Sequence, residues 1–167
     1  FLRSRCTCLL QHCNMGACEI GEIRGSIREG MRDLCELHSK TGVGRSGQYE
    51  MPATDRQVGF GFLGLANLLG QHSVSYAEFG DALHDVLHNN IRKGVGGIIA
   101  GELYEGIKEA AEVAKYYGME RAFCIAPTAS CSYRSKTKEG YTSTPEIAPP
   151  ISRYVDRDSS IHGVQSY

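Results

Sequence analysis

No run of apolar residues in this chain approaches the roughly 20 needed to cross a bilayer as a helix. Nor does one sign of charge dominate. The 18 basic and 19 acidic residues leave a net charge of −1. That balance offers no electrostatic basis for nucleic-acid binding or for attraction to an anionic membrane surface. An internal repeat is lacking, so nothing points to a solenoid or propeller. Low-complexity tracts are lacking too. The start, Phe1-Leu-Arg-Ser-Arg5, shows no signal-peptide pattern and no initiator methionine. Both ends read as cuts in a longer polypeptide or as edges of a split subunit.

What is present suits one globular domain. The chain has 167 residues, of which 41% are hydrophobic, enough to bury a core of its own. Seven cysteines are an odd number, which in a secreted protein would leave one thiol over. With Cys35 and Cys124 on apolar faces and no signal sequence, a reducing cytoplasm is the better reading.

The local pattern predicts the elements in turn. Thr7 to Leu10 is short and apolar enough for a strand. Ile20, Ile23, Ile27, Met31, Leu34 and Leu37 recur at three- and four-residue steps, predicting a helix with one apolar face. Gly42-Val-Gly-Arg-Ser-Gly47 breaks regular structure. Arg56 to Leu69 reads as a glycine-rich element leading into an apolar helix. Ser75 followed three residues on by Glu78 forms a capping box, predicting a helix from Tyr76 to about Ile91. Gly94-Val-Gly-Gly97 reads as a second break. Ile98 to Tyr117 is helical and closed by Gly118. Phe123 to Ala126 predicts a buried strand, stopped at Pro127, which has no N–H for a neighbouring strand. From Ser135 the chain is polar and loop-like. Two or three strands among at least four helices, alternating toward the C-terminal end, favour an α/β class.

Several constellations carry candidate chemistry. In Pro127-Thr-Ala-Ser-Cys131, Thr128 or Ser130 can cap a following helix, whose first N–H groups and dipole favour an anion. A phosphorylated substrate fits such a turn; an ordinary strand-to-helix turn is the plainer alternative. Cys6, Cys8, Cys13 and Cys18 with His12 invite a zinc reading, although their spacings depart from the paired knuckles that structural zinc prefers. Gly59-Phe-Gly-Phe-Leu-Gly64 fits the G-x-G-x-x-G pattern of dinucleotide folds, but the polar Thr54-Asp-Arg-Gln57 before it shows no clear buried strand. His84-Asp-Val-Leu-His88 resembles a metalloprotease pair with Asp in place of Glu and no obvious third ligand, so a solvated helix face is the reading preferred. Glu146 is read as structural.

Four segments in one order resemble the catalytic subunit of ribonucleotide reductases, closest to the adenosylcobalamin-dependent class and its phage-type relatives. They are Cys8-Leu-Leu-Gln-His-Cys-Asn-Met-Gly-Ala17, Pro52-Ala-Thr-Asp-Arg-Gln-Val-Gly-Phe-Gly-Phe-Leu-Gly-Leu-Ala66, the run Phe123–Ser130, and Pro145-Glu-Ile-Ala-Pro-Pro150. The resemblance implies a ten-stranded α/β barrel, of which residues 1–167 would be a helix-rich central segment. It implies a ribonucleoside di- or triphosphate reductase. In it Pro127, Thr128, Ala129, Ser130 and Cys131 hold the substrate phosphates, and Cys8 belongs to a redox pair whose partner lies outside this chain. A thiol pair suits ribose reduction, because two sulfurs together give two electrons and end as a disulfide. The implied cofactor is adenosylcobalamin, with a dithiol such as thioredoxin as reductant. The implied partners are the ribonucleotide, the remainder of the catalytic subunit and, in the phage-type case, a radical-generating subunit. The family's Asn-x-Cys-x-Glu thiyl motif is not in this chain; Asn14-Met-Gly-Ala-Cys-Glu19 has its letters at another spacing. Two rivals stay open: a zinc-stabilised binding module, and a non-catalytic scaffold half of a split protein.

Overall fold

The computed structural model describes residues 5–7, 9–146, 154 and 156–166. Among the described residues, five strands and five α-helices succeed one another: β1 (Leu10–Asn14), α1 (Ile23–Lys40), β2 (Gln57–Leu63), α2 (Leu65–Gln71), α3 (Tyr76–Asn89), α4 (Gly94–Tyr116), β3 (Arg121–Phe123), α5 (Ala129–Arg134), β4 (Asp156–Ser159) and β5 (Gly163–Ser166). The first three strands form one parallel sheet in the order β1-β2-β3. Parallel neighbours need long crossovers. Here α1 supplies the first, and α2 to α4 the second. The architecture is therefore mixed α/β. The last two strands make a separate antiparallel hairpin, in a stretch the sequence reads as loop. Among the described residues, no helix is long and apolar enough to cross a membrane.

The core follows the predicted helix face. Ile23, Ile27, Met31 and Leu34 are fully buried, while Leu37 is exposed and His38 takes the inner position. Gly30 lets α1 lie against β2, since a Cβ there would be 2.7 Å from the Phe60 ring. Gly106 does the same between α4 and Ile27. The capping box holds as predicted: the Glu78 N–H donates to Ser75 Oγ at 3.2 Å, and the Ser75 N–H donates back to Glu78 Oε2 at 2.7 Å.

Three boundaries differ from the sequence expectation. β1 starts at Leu10 rather than Thr7, because pairing with β2 runs from Leu10–Gly59 to Asn14–Leu63. α4 begins at Gly94, four residues before Ile98, so the Gly94–Gly97 run is helix rather than break. Gly97 and Gly101 leave room for the Arg92 backbone and side chain, which pass within 3 Å of where their Cβ atoms would be. β3 spans Arg121–Phe123 instead of the expected Phe123 to Ala126, and it is exposed or half-buried rather than buried, with Ile125 also exposed.

Candidate functional site

Three parallel strands bring their carboxyl ends to one edge of the sheet. In open α/β sheets that edge is where ligand crevices form. The Pro127–Cys131 turn leaves β3 here and opens α5. Pro127, Ser130 and Cys131 are exposed, and Thr128 and Ala129 half-buried. Thr128 has φ 48° and ψ 8°, a left-handed backbone that costs a β-branched residue about 1–3 kcal/mol. Its side chain does not cap α5. The hydroxyl instead accepts the Glu146 N–H at 3.1 Å. That corrects the expected capping role and shows what holds the strained residue. The first turn of α5 leaves N–H groups without intrahelical acceptors, and the same turn carries the Ser130 and Cys131 side chains at the surface.

Glu146 is the most buried charged side chain at this edge, 1% exposed. Its Oε1 accepts the Phe62 N–H of β2 at 2.9 Å. Its Oε2 accepts the Ala126 N–H at 2.7 Å. His12 of β1 lies beside it, with Nε2 3.5 Å from Oε2 and its side chain 8% exposed. That approach is ionic in distance but outside hydrogen-bond geometry, and Nε2 has no other partner among the described residues.

The segment that ends at Glu146 folds back over the strand ends. Asn14 donates to Lys136 O at 2.9 Å and accepts from Ser143 Oγ at 3.0 Å. The Thr144 N–H donates to Asn67 Oδ1 at 2.7 Å, and Thr144 O accepts the Gly64 N–H at 2.9 Å. Asn14-Met-Gly-Ala17 forms a 3-10 turn with Met15 fully buried. Gly64 has φ 70°, and a Cβ on it would sit 2.8 Å from the Gly16 N. The glycines of two separate segments thus meet back to back. Asn14, Asn67, Ser143, Thr144 and Glu146 were not singled out as site residues by the sequence. Their partners lie far along the chain, so no local spacing marks them.

The G-x-G-x-x-G run is itself strand β2 up to Leu63. A buried strand is present after all, since Asp55 and Gln57 satisfy their side chains on Thr7, at 2.9 Å to its N–H and 3.3 Å to its carbonyl. Yet the first two glycines lie within the strand and not in a turn after it, so no dinucleotide loop results. Gly59 makes room for Cys124 and Leu10, and Gly61 for Glu146 and His12.

Cys8 lies outside the described residues, as do 147–150 of the fourth resembling segment. The Cys13 and Cys18 thiols influence one another's ionisation. The neighbouring Cys13 thiol brings Cys18 down to about 7, against the opposing pull of burial. Cys18 in turn pushes the buried Cys13 up, with burial adding to the effect. Cys18 Sγ also lies 3.5 Å from Asn14 O and 3.8 Å from Ser26 Oγ. Among the described residues, no group of three or more His, Cys, Asp or Glu is placed to hold a metal. His84 and His88 lie with their rings tilted at 44° and centroids 4.5 Å apart on an exposed face of α3. A cavity of about 300 Å³ is lined by Arg32, Glu112, Val113, Tyr116 and Tyr117, none of them from the strand ends. No protein-family model matches the chain, and no curated protein matches it.

Proposed function

We propose that this chain is a central segment of the catalytic barrel of a ribonucleotide reductase. One observation carries the reading. Three of the segments that resemble that family, Asn14–Ala17, the run ending at Gly64 and the Pro127–Cys131 turn, converge on one edge of a parallel sheet, tied there by Asn14, Thr144 and Glu146. A polyphosphate is the natural occupant of such a turn, because backbone N–H groups and hydroxyls satisfy its oxygens. Its ribose would extend from there along the strand ends. The ten-stranded barrel requires strands beyond the three of this sheet.

In the reaction the ribose 2′-hydroxyl departs as water. Two thiols are oxidised to one disulfide, supplying the two electrons and two protons that balance the loss. Cys8 is one of that pair, and its partner and the thiyl cysteine belong to the remainder of the subunit. Thr128, Ala129, Ser130 and Cys131 bind and orient the phosphates. Adenosylcobalamin supplies the initiating radical when bound. No group of potential ligands among the described residues fits its metal, so none is assigned to it. A dithiol such as thioredoxin returns the disulfide to thiols.

The test is ribonucleotide reduction by the enzyme containing this chain, with a dithiol reductant, with and without adenosylcobalamin. Turnover only with the cobalamin supports both family and cofactor. Turnover only on adding a radical-generating subunit keeps the family and replaces the cofactor. Silence in both overturns the reading.

A further inference from the structure

We propose that Glu146 is the positioning residue of this site: its carboxylate, wedged between β2 and the turn after β3, sets Ala126 while its backbone N–H holds Thr128, so that the loop can receive a polyphosphate. The inference rests on the phosphate reading of that loop. The strands β2 and β3 pair as far as Phe60 and Phe123, and the Cys124 N–H still reaches Phe60 O at 3.2 Å. Beyond that point the ladder opens. Phe62 and Ala126, which would lie along its continuation, instead donate their N–H groups to the two oxygens of one carboxylate, at 2.9 and 2.7 Å. The opening is therefore not an end of pairing but a gap filled by Glu146.

The same residue acts on the loop a second time. Its backbone N–H donates to Thr128 Oγ1, and Thr128 is the loop residue held with left-handed φ. One residue thus fixes both the entry to the turn, through Ala126, and its strained corner, through Thr128. Room for the wedge is built into β2. A Cβ on Gly61 would overlap Glu146 Oε1 and stand 2.8 Å from His12 Cδ2. His12 closes the other side with a buried, unpartnered Nε2. A residue that served the sheet alone would not need hydrogen bonds on both sides of Pro127, from its carboxylate to the Ala126 N–H and from its backbone N–H to Thr128.

The probe is inorganic tripolyphosphate, titrated calorimetrically into the enzyme containing this chain and into its Glu146→Gln variant. Glutamine keeps the shape but offers one acceptor oxygen where the carboxylate offers two. With the unfolding midpoint of the variant above the assay temperature, its affinity should fall about tenfold, the scale of one charge-assisted hydrogen bond. Equal affinity in the two folded proteins overturns the positioning role and leaves the phosphate reading standing. No binding by the unaltered protein overturns the phosphate reading, and the inference with it. Amide exchange in the unaltered protein supplies the check that needs no variant: the Ala126 and Phe62 N–H groups must be protected together. Fast exchange at Ala126 refutes the wedge.

Discussion

Replacing Gly61 with alanine tests the strand-end arrangement through a single methyl group. The added Cβ would overlap Glu146 Oε1 and lie 2.9 Å from Glu146 Cδ, in a strand whose neighbours on that face are buried. The carboxylate must withdraw, leaving the Phe62 and Ala126 N–H groups without their acceptors. Each buried donor left unsatisfied costs about 1–3 kcal/mol. Alanine recovers roughly 0.5–1 kcal/mol over glycine in a strand. The net loss is then about 1–5 kcal/mol, centred near 3. For a domain of this size, 3 kcal/mol lowers the melting temperature by about 6–12 °C.

Urea unfolding followed by circular dichroism measures the loss, and Gly80→Ala is its internal control. Gly80 lies in the interior of α3, exposed, with nothing within 4 Å of a built Cβ. There the same substitution should stabilise by roughly 0.5–1 kcal/mol through helix propensity. Opposite signs for the two changes support the geometry. A Gly61→Ala loss below about 0.5 kcal/mol, the size of an unremarkable surface change, refutes it.

Three other expectations come from separate parts of the fold. Alkylation of Cys18 by iodoacetamide, read by peptide mass spectrometry, should show a midpoint near pH 7, and Cys13→Ala should raise it by removing the neighbouring thiol that holds Cys18 down; a midpoint at the ordinary thiol value in the unaltered protein contradicts the pairing. His38 is buried and its pKa lowered, first by desolvation and then by the Arg56 guanidinium, against the raising effect of Asp55. Above the ordinary imidazole range both folded and unfolded chains are neutral there, and below it only the unfolded chain takes the proton readily, so His38 should cost stability as pH falls through that range; His38→Gln should flatten that part of the pH–stability curve, and an unchanged curve rejects the assignment. Ser75→Ala removes the cap of α3 and should cost about 1 kcal/mol, seen as a shift of about 2–4 °C in melting temperature.

Elements governed by contacts within one helical turn were legible in the sequence. The buried series from Ile23 to Leu34 and the Ser75–Glu78 box need only spacing and propensity, and both stand in the fold. Legibility failed where a distant partner decides. His38 rather than Leu37 turns inward, where Asp55 and Arg56 face it. The Gly94–Gly97 run reads as a breaker from composition, yet Gly97 and Gly101 are required in a helix that Arg92 crosses closely. β1 is displaced because its register belongs to β2. Its polar Gln11 and His12 hide a strand that an apolar criterion places too early.

The site divides along the same line. The Pro127–Cys131 turn into a helix could be read from the sequence, because a proline and hydroxyl residues sit side by side, although pairing already stops at Phe123 rather than at the proline. Glu146 could not be given a function, because its acceptor role joins Phe62, 84 positions away, to Ala126, 20 positions away. Nothing in the segment around it encodes those distances. What does encode them is the absence at Gly61, since a glycine inside a strand marks a close approach by another part of the chain. Once β2 and β3 are known to diverge at that rung, the missing side chain, the orphaned N–H pair and the buried carboxylate become one requirement stated three times. A glycine inside a central strand, next to a neighbour strand that ends early, is therefore the signal that a side chain from elsewhere fills the gap.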